Sequence, residues 1–262
     1  MIATTKAQID ALREGGKRLA RHVRILSEMV APGISAYDLE MKARALVSAD
    51  GDALAFYQYK AHHRDKPYPS GLCLSVNEVI VHSPAATNGV VIQNGDIVKL
   101  DFGIKHGGYF TDHAVTVIAG EPRAESDVIL VRGTQEALAA GIDAARMGNT
   151  IGDIGHAVEH VAEHYGFGFP RTLSGHGVGV KVHELPYVPN FGAQGSGEAL
   201  VEGLVIAIEP MMALGDGGLC VAEDGHGYRT RDRSHTAHFE HTILITKKGP
   251  EILTIDSDGE NG

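Results

Sequence analysis

The sequence predicts an α+β architecture in which two similar helix-helix-sheet halves share one curved antiparallel sheet, with the helices on its outer side. Three observations carry this expectation. Helical periodicity occurs in two pairs of segments, each pair is followed by runs of strand-forming residues, and no Pro/Ser-rich linker separates the repeats. A chain of 262 residues can bury a substantial core as one unit, so a single domain over 1–262 is expected, with pseudo-repeats at about 5–120 and 126–250.

The elements follow in order. Ile9, Leu12, Leu19, Val23, Leu26 and Val30 share one face of a helix over 5–30, which Pro32 and Gly33 stop. Ser35 and Asp38 resemble a capping box, opening a second helix through Leu39 and Leu46 to about Ala49. Residues 51–70 are polar, aromatic and Pro-containing and read as a loop. Strands are expected in LCLSVNEVIVH (72–82), GDIVKLDFGI (95–104) and YFTDHAVTVIAG (109–120). Residues 126–147 and 150–165 then repeat the helical pair, with Gly166 ending the second. Further strands are expected around SGHGVGVKVHE (174–184), LVIAIEPMMAL (204–214), GLCVAED (218–224) and HTILIT (241–246). The acidic tail from 255 to 262 reads as frayed and disordered.

Composition excludes several classes. Hydrophobic content of 43% and charged content of 21% suit a soluble globular protein, and a formal charge of −10 argues against DNA or other nonspecific nucleic-acid binding. Two cysteines, Cys73 and Cys220, make no disulfide framework and suit a reducing compartment. The opening stretch has no apolar signal core, and no run of about 18 apolar residues suggests a membrane span. A cytoplasmic monomer is the expectation. Fifteen histidines beside no tryptophan is the unusual feature.

The stretch HGGYFTDH (106–113) raises the first chemical question, because Asp112 follows Asp101 by eleven residues among strand-forming neighbours. If KHGG forms the turn, Lys105 faces Gly108 and Asp101 faces Asp112, with Cβ atoms roughly 4.5–5.5 Å apart. An exposed hairpin face would tolerate that pair, whereas burial among Leu100, Phe102, Phe110 and Thr111 would require a cation between them. Three further segments set polar residues in apolar text. SGHGVGVKVHELP offers His176 and His183 among glycines that permit close backbone approach. LVIAIEPMMAL contains Glu209 and TAHFEHTILIT contains Glu240, each of which must be paired, protonated or metal-bound if buried. Arg229, Arg231 or Arg233 is a possible partner for either glutamate alone. Four carboxylates and one imidazole together suit two divalent cations, with Mn, Co, Fe(II) or Zn all compatible.

With SVNEVIVH, DFG, FTDH, SGHGVGVKVHE, AIEPM and FEHTILIT in this order and spacing, the sequence resembles the type I methionyl aminopeptidases over residues 5–250. The resemblance implies the pita-bread fold and two divalent metal ions on Asp101, Asp112, His176, Glu209 and Glu240. It implies His82 near the substrate's N-terminal residue and His183 at the scissile peptide group, with Glu209 moving a proton while a metal-bridging hydroxide attacks the first peptide bond. The implied substrates are N-termini of nascent polypeptides carrying the initiator methionine before a small residue, which brings the ribosome in as a candidate partner.

The implied methionine pocket is less complete. Tyr68 and Cys73 match two of its members, but Val182 stands where the family has a phenylalanine, and His226 where it has a tryptophan. The loop 56–67 is longer and more basic than is typical; these differences either admit residues other than methionine or are compensated by Phe56 or Tyr57, and a methionine pocket with an altered rim is the expectation. Xaa-Pro dipeptidases share the fold and ligand types, yet EPMM and FEHT favour the methionyl branch. A metal-free binding module of the same fold is the rival from another class, and such relatives usually lose ligands. The histidines of HFEH and EHVAEH are expected near the surface, as is the basic face REGGKRLARHVR (13–24). Cys73 reads as a pocket wall rather than a nucleophile.

Overall fold

A computed structural model describes residues 1–60, 63 and 66–256. The first half contains α1 (Lys6–Glu28), α2 (Ala36–Ala49), β1 (Ala53–Leu54), β2 (Leu72–Val76), β3 (Val79–Val81), β4 (Ile97–His106) and β5 (Tyr109–Ile118). The second contains α3 (Glu125–Ala144), α4 (Ile151–Tyr165), β6 (Ser174–Gly177), β7 (Glu184–Pro189), β8 (Val205–Ile208), β9 (Met211–Ala213), β10 (Leu219–Val221), β11 (Tyr228–Thr230), β12 (Thr236–His238), β13 (Glu240–Thr246) and β14 (Gly249–Ile252).

Local chemistry explains the helix ends. Thr5 with Gln8 and Ser35 with Asp38 form capping boxes, satisfying N–H groups that the first turn leaves unpaired. At α4 the Thr150 backbone and hydroxyl both donate to Asp153 at 2.8 Å, and Gly166 closes the helix in the left-handed region. The expected helices over 5–30 and 126–147 are each shorter by a few residues.

The main sheet is antiparallel, in the order β1-β4-β5-β13-β8-β6-β7, with β2 added on β4 and β14 on β13. Side-chain alternation gives it two unlike faces. Leu100, Phe102 and Ile104 of β4 pack with Leu19, Val23 and Leu26 of α1, while Ile206, Ile208, Ile243 and Ile245 pack with Leu138 and Ile142 of α3. The opposite face receives Asp101, Asp112, His176 and Glu240. The halves meet where β5 pairs β13, through Glu240↔Ala114 and His241↔His113.

Several expected strands are broken. LCLSVNEVIVH splits at Asn77, whose φ of 52° turns the chain so that β3 pairs β11 instead of continuing beside β4. SGHGVGVKVHE is strand only to Gly177, and LVIAIEPMMAL breaks at Pro210, which cannot donate to a ladder. Within the expected loop 51–70, Ala53 and Leu54 add a short strand to β4. The tail expected to fray from 255 begins with two placed residues, Asp256 accepting from Arg24 Nε at 2.7 Å. Residues 257–262 lie outside the described residues, as do 61, 62, 64 and 65 of the loop 56–67.

Candidate metal centre and substrate pocket

The hairpin that carries both aspartates differs in register from the sequence expectation. Gly107 and Gly108, both at positive φ, form the two-residue turn, so His106 faces Tyr109. Asp101 therefore faces Ala114 and Asp112 faces Gly103. The slip is two residues and preserves parity, so the two carboxylates share a face as diagonal rather than direct neighbours.

The five candidate ligands come together. Ligand atoms of Asp101, Asp112 and Glu240 lie within 4.8 Å of one another, as do those of His176, Glu209 and Glu240. His176 Nε2 is 3.4 Å from Glu209 Oε1 and 4.0 Å from Glu240 Oε1. Its Nδ1 contacts Gly177 O at 3.0 Å, an acceptor that keeps the proton on Nδ1 and leaves the Nε2 lone pair facing the carboxylates. All five side chains are buried.

Burial shapes the electrostatics. Desolvation pushes Asp101 up to about 7, and it raises Asp112, Glu209 and Glu240 well above their ordinary values, with the neighbouring carboxylates adding to the shift. His176 is pushed down to about 4, chiefly by burial, and is a neutral imidazole at pH 7. Among the described residues, no lysine or arginine pairs with these carboxylates; Arg233 pairs with Glu78 instead. Glu240 Oε1 is buried without a hydrogen-bond partner. Four desolvated carboxylates, an orphaned oxygen and an imidazole lone pair are a donor set that divalent cations fit, because cations would remove the repulsion and supply the missing partner.

His82 and His183 stand at the mouth of the site. Both are exposed to water yet surrounded by a concave protein wall, which holds both imidazoles on the neutral side. His183 approaches Asp112 and His176 within 4.8 Å, and its Nδ1 meets Tyr59 Oη at 2.8 Å. The ring of His82 lies 5.7 Å from that of Tyr228.

Beside this mouth Ala55, Phe56, Cys73 and Val182 form a small buried cluster, with Tyr59, Tyr68 and Phe110 packed against it. Cys73 Sγ accepts from His82 N at 2.9 Å, and burial pushes its thiol pKa well up, the state of a wall residue rather than a nucleophile. His226 meets Tyr68 edge-on at 5.7 Å. Of the two expected compensating aromatics, Phe56 joins the cluster; Tyr57 instead stacks under Arg44 at 4.4 Å and is 45% exposed.

The sequence reading missed Tyr59, Asn190 and His238, and took Phe110 only as a burying neighbour of the aspartates rather than as part of the pocket. Asn190 Nδ2 donates to Glu209 O at 3.0 Å, fixing the backbone beside Pro210. His238, expected near the surface, is 1% exposed, and its Nε2 is 3.6 Å from Glu209 Oε2. Its position two residues before Glu240 was the available signal, since period-two alternation puts both on one face. On the opposite side of the sheet, a separate cleft of about 620 Å³ opens between α1 and α3, with His113 and His241 at its floor.

Comparison with known proteins agrees with this geometry. The profile of metallopeptidase family M24 matches residues 10–247. A methionine aminopeptidase of Aquifex aeolicus is 42% identical over 253 residues, covering 95% of this chain and 97% of that protein. The crystal structure of a methionine aminopeptidase from Thermotoga maritima superposes with a TM-score of 0.91 at 39% identity, covering 97% of this chain and 99% of that one. A prolidase from Pyrococcus horikoshii shares the fold at 23% identity, with a TM-score of 0.74, covering 97% of this chain and 63% of that one.

Proposed function

Because the chain belongs to metallopeptidase family M24, we infer that it is a metal-dependent aminopeptidase that removes the initiator methionine from new polypeptides. The observation that carries the site assignment is the convergence of four buried, cation-free carboxylates on one imidazole lone pair. Asp101, Asp112, His176, Glu209 and Glu240 would hold two divalent cations, with Mn, Co, Fe(II) and Zn all suited to this oxygen-rich set. When bound, such ions supply Lewis-acid activation of water and of the peptide carbonyl.

The chain's own residues supply the rest. Glu209 takes the proton of the attacking water and delivers it to the departing amine. Tyr59 Oη pairs with His183 Nδ1 at 2.8 Å and holds the ring, and the tautomer with its proton on Nε2 can hydrogen-bond the oxyanion that develops at the scissile carbonyl. His82 contacts the substrate amide. The free α-amino group faces the acidic cluster, which selects chain ends over internal bonds. The unbranched methionine side chain enters the cluster of Phe56, Tyr59, Tyr68, Cys73, Phe110 and Val182, with His226 behind Tyr68.

The same proposal reads the chain as one catalytic domain, acting as a monomer in the cytoplasm, on N-termini emerging from the ribosome. Among the described residues no helix is long and apolar enough to cross a membrane. Mass spectrometry of Met-Ala, Met-Pro, Leu-Ala and Ala-Pro peptides, with Mn or Co and with a chelator, tests the activity. Metal-dependent loss of methionine alone is expected. Cleavage of Ala-Pro would move the chain to the Xaa-Pro branch, and silence with metal bound would favour a binding module.

A further inference from the structure

Lys99 stands on β4 two residues before Asp101, on the same face of the sheet, and the mechanism above gives it no task. It is 1% exposed. Its Nζ donates to Asn77 O at 2.7 Å, Thr236 Oγ1 at 3.1 Å, Thr236 O at 3.3 Å and Ile97 O at 3.4 Å. Thr236 Oγ1 spends its own hydrogen on Asn77 O at 2.7 Å, which leaves its lone pairs for the amine. Asn77 O thus receives three donors, Lys99 Nζ, Thr236 Oγ1 and the Thr236 backbone N–H at 3.0 Å. Burial pushes the amine's pKa well down, and Glu78, Asp96 and Cys73 oppose that only through space. The contacts need N–H donors, which the amine offers in either protonation state.

The elements that Lys99 joins belong to different sheets. Ile97 and Lys99 lie on β4 of the main sheet, whereas Thr236 opens β12, whose ladder partner is β9 in a separate two-stranded sheet. Asn77 follows β2 and starts the turn that leads through β3 to His82. β12 delivers the chain into Glu240, and Glu240 is the first residue of the β13 ladder on β5. Upstream of it no ladder to β5 remains. Two side chains span that gap: Thr116 Oγ1 donates to His238 O at 2.6 Å, and Lys99 grips Thr236. Lys99 and Thr116 are themselves direct cross-strand partners. They form a two-point clamp on the segment that aims Glu240.

Given the reading of the five residues as metal ligands, we propose that Lys99 is a positioning residue of the metal centre. Its side chain ties Asn77, Ile97 and Thr236 together and so fixes the Glu240 segment against the strand that carries Asp101. The alternative is that the ladders of β13 on β5 and β8, with that of β12 on β9, hold Glu240 by themselves, leaving Lys99 as core filling.

Titration calorimetry of the full chain with Mn(II) separates the two. Lys99→Ala is measured in tetramethylammonium chloride, whose cation is too large for the vacated space, and again in ammonium chloride, whose cation fits among the freed oxygens. Expected is a Mn(II) affinity about tenfold weaker than wild type in the first salt, of the order seen when groups supporting metal ligands are lost. Ammonium should restore it to within a few-fold, with wild type indifferent to the exchange. Affinity equal to wild type in both salts overturns the proposal, and so does a loss that ammonium leaves untouched. Should Lys99→Ala fail to fold in either salt, Thr236→Val loosens the clamp from its other end and should weaken Mn(II) about fivefold, one hydrogen bond's worth; unchanged affinity there overturns the proposal equally. Wild type that binds no Mn(II) would instead sink the ligand assignment on which the proposal rests.

Discussion

Stripping the metal should make the protein's stability fall as pH rises, and metal should restore it by an amount that grows with pH. Asp101, ordinarily at 3.8, is pushed up to about 7 by burial, and Asp112, Glu209 and Glu240 are raised well above their ordinary values, first by burial and then by one another. The metal-free folded cluster therefore keeps protons that the unfolded chain has released by pH 6.5. The folded state binds more protons there, so its stability declines with rising pH. Metal binding requires those protons to leave, and each one displaced adds about 1.4 kcal/mol of metal stabilisation per pH unit at fixed excess metal. For a chain of this size that is about 3–6 °C in melting temperature per pH unit and displaced proton. His176, at about 4, is already neutral across the window and adds no proton. The buried Met1 amine, lowered chiefly by desolvation, acts in the opposite sense but equally in both forms, so comparing loaded with stripped protein removes it. The assay is scanning calorimetry of chelator-treated and Mn-loaded protein at pH 6.5, 7.5 and 8.5. A metal-induced shift that stays flat over this range would refute the proton-retaining carboxylate cluster.

Three further outcomes are expected. Glu209→Gln should lower kcat by roughly 10²–10⁴ with little change in KM, checked by steady-state kinetics at saturating Mn, because its proton transfer is needed only beyond the bound state. Tyr59→Phe removes the hydroxyl that fixes His183 and should lower kcat/KM about fivefold, one neutral hydrogen bond, while calorimetry finds Mn affinity unchanged; undiminished turnover would remove Tyr59 from the site. Gly16→Ala puts a Cβ 2.2 Å from the Leu253 carbonyl oxygen, so an overpacking cost of about 1–3 kcal/mol should exceed the roughly 1 kcal/mol gained in helix propensity and lower the melting temperature.

The candidate ligands were legible in the sequence because a carboxylate inside an apolar strand is conspicuous and alternation fixes its face. Asp101 and Asp112 illustrate both the strength and the limit of that logic. The sequence put them on one face, which parity guarantees, but placed the hairpin turn too early, because it did not reveal that Gly107 and Gly108 would both take positive φ. Strand ends failed for a similar reason. LCLSVNEVIVH reads as continuous strand, and only the left-handed backbone at Asn77 diverts β3 to another sheet. His238 was misjudged because HFEH looks polar in one dimension, while in the fold β12 runs beneath the cluster. The pocket was half legible: Phe56 was anticipated, but Tyr59 rather than Tyr57 turns inward, a choice made by Arg44 stacking on Tyr57 and by His183 pairing with Tyr59.

The position of the cluster follows from the doubled architecture. The first half supplies only Asp101 and Asp112, and the second only His176, Glu209 and Glu240, so neither half holds the whole donor set. Within the main sheet the halves join through two residue pairs of β5 and β13, one of which is Glu240↔Ala114, so a candidate ligand belongs to that seam itself. On the outer face the seam is covered by His113 and His241, stacked at 4.7 Å, where each half contributes one ring. On the inner face it is lined by carboxylates that oppose the junction once they are ionised. Cations there would take the place of the retained protons and, held by carboxylates from both sides, tie the halves together. A main-sheet seam this short, lined by this many acids, is intelligible as a place built to be bridged.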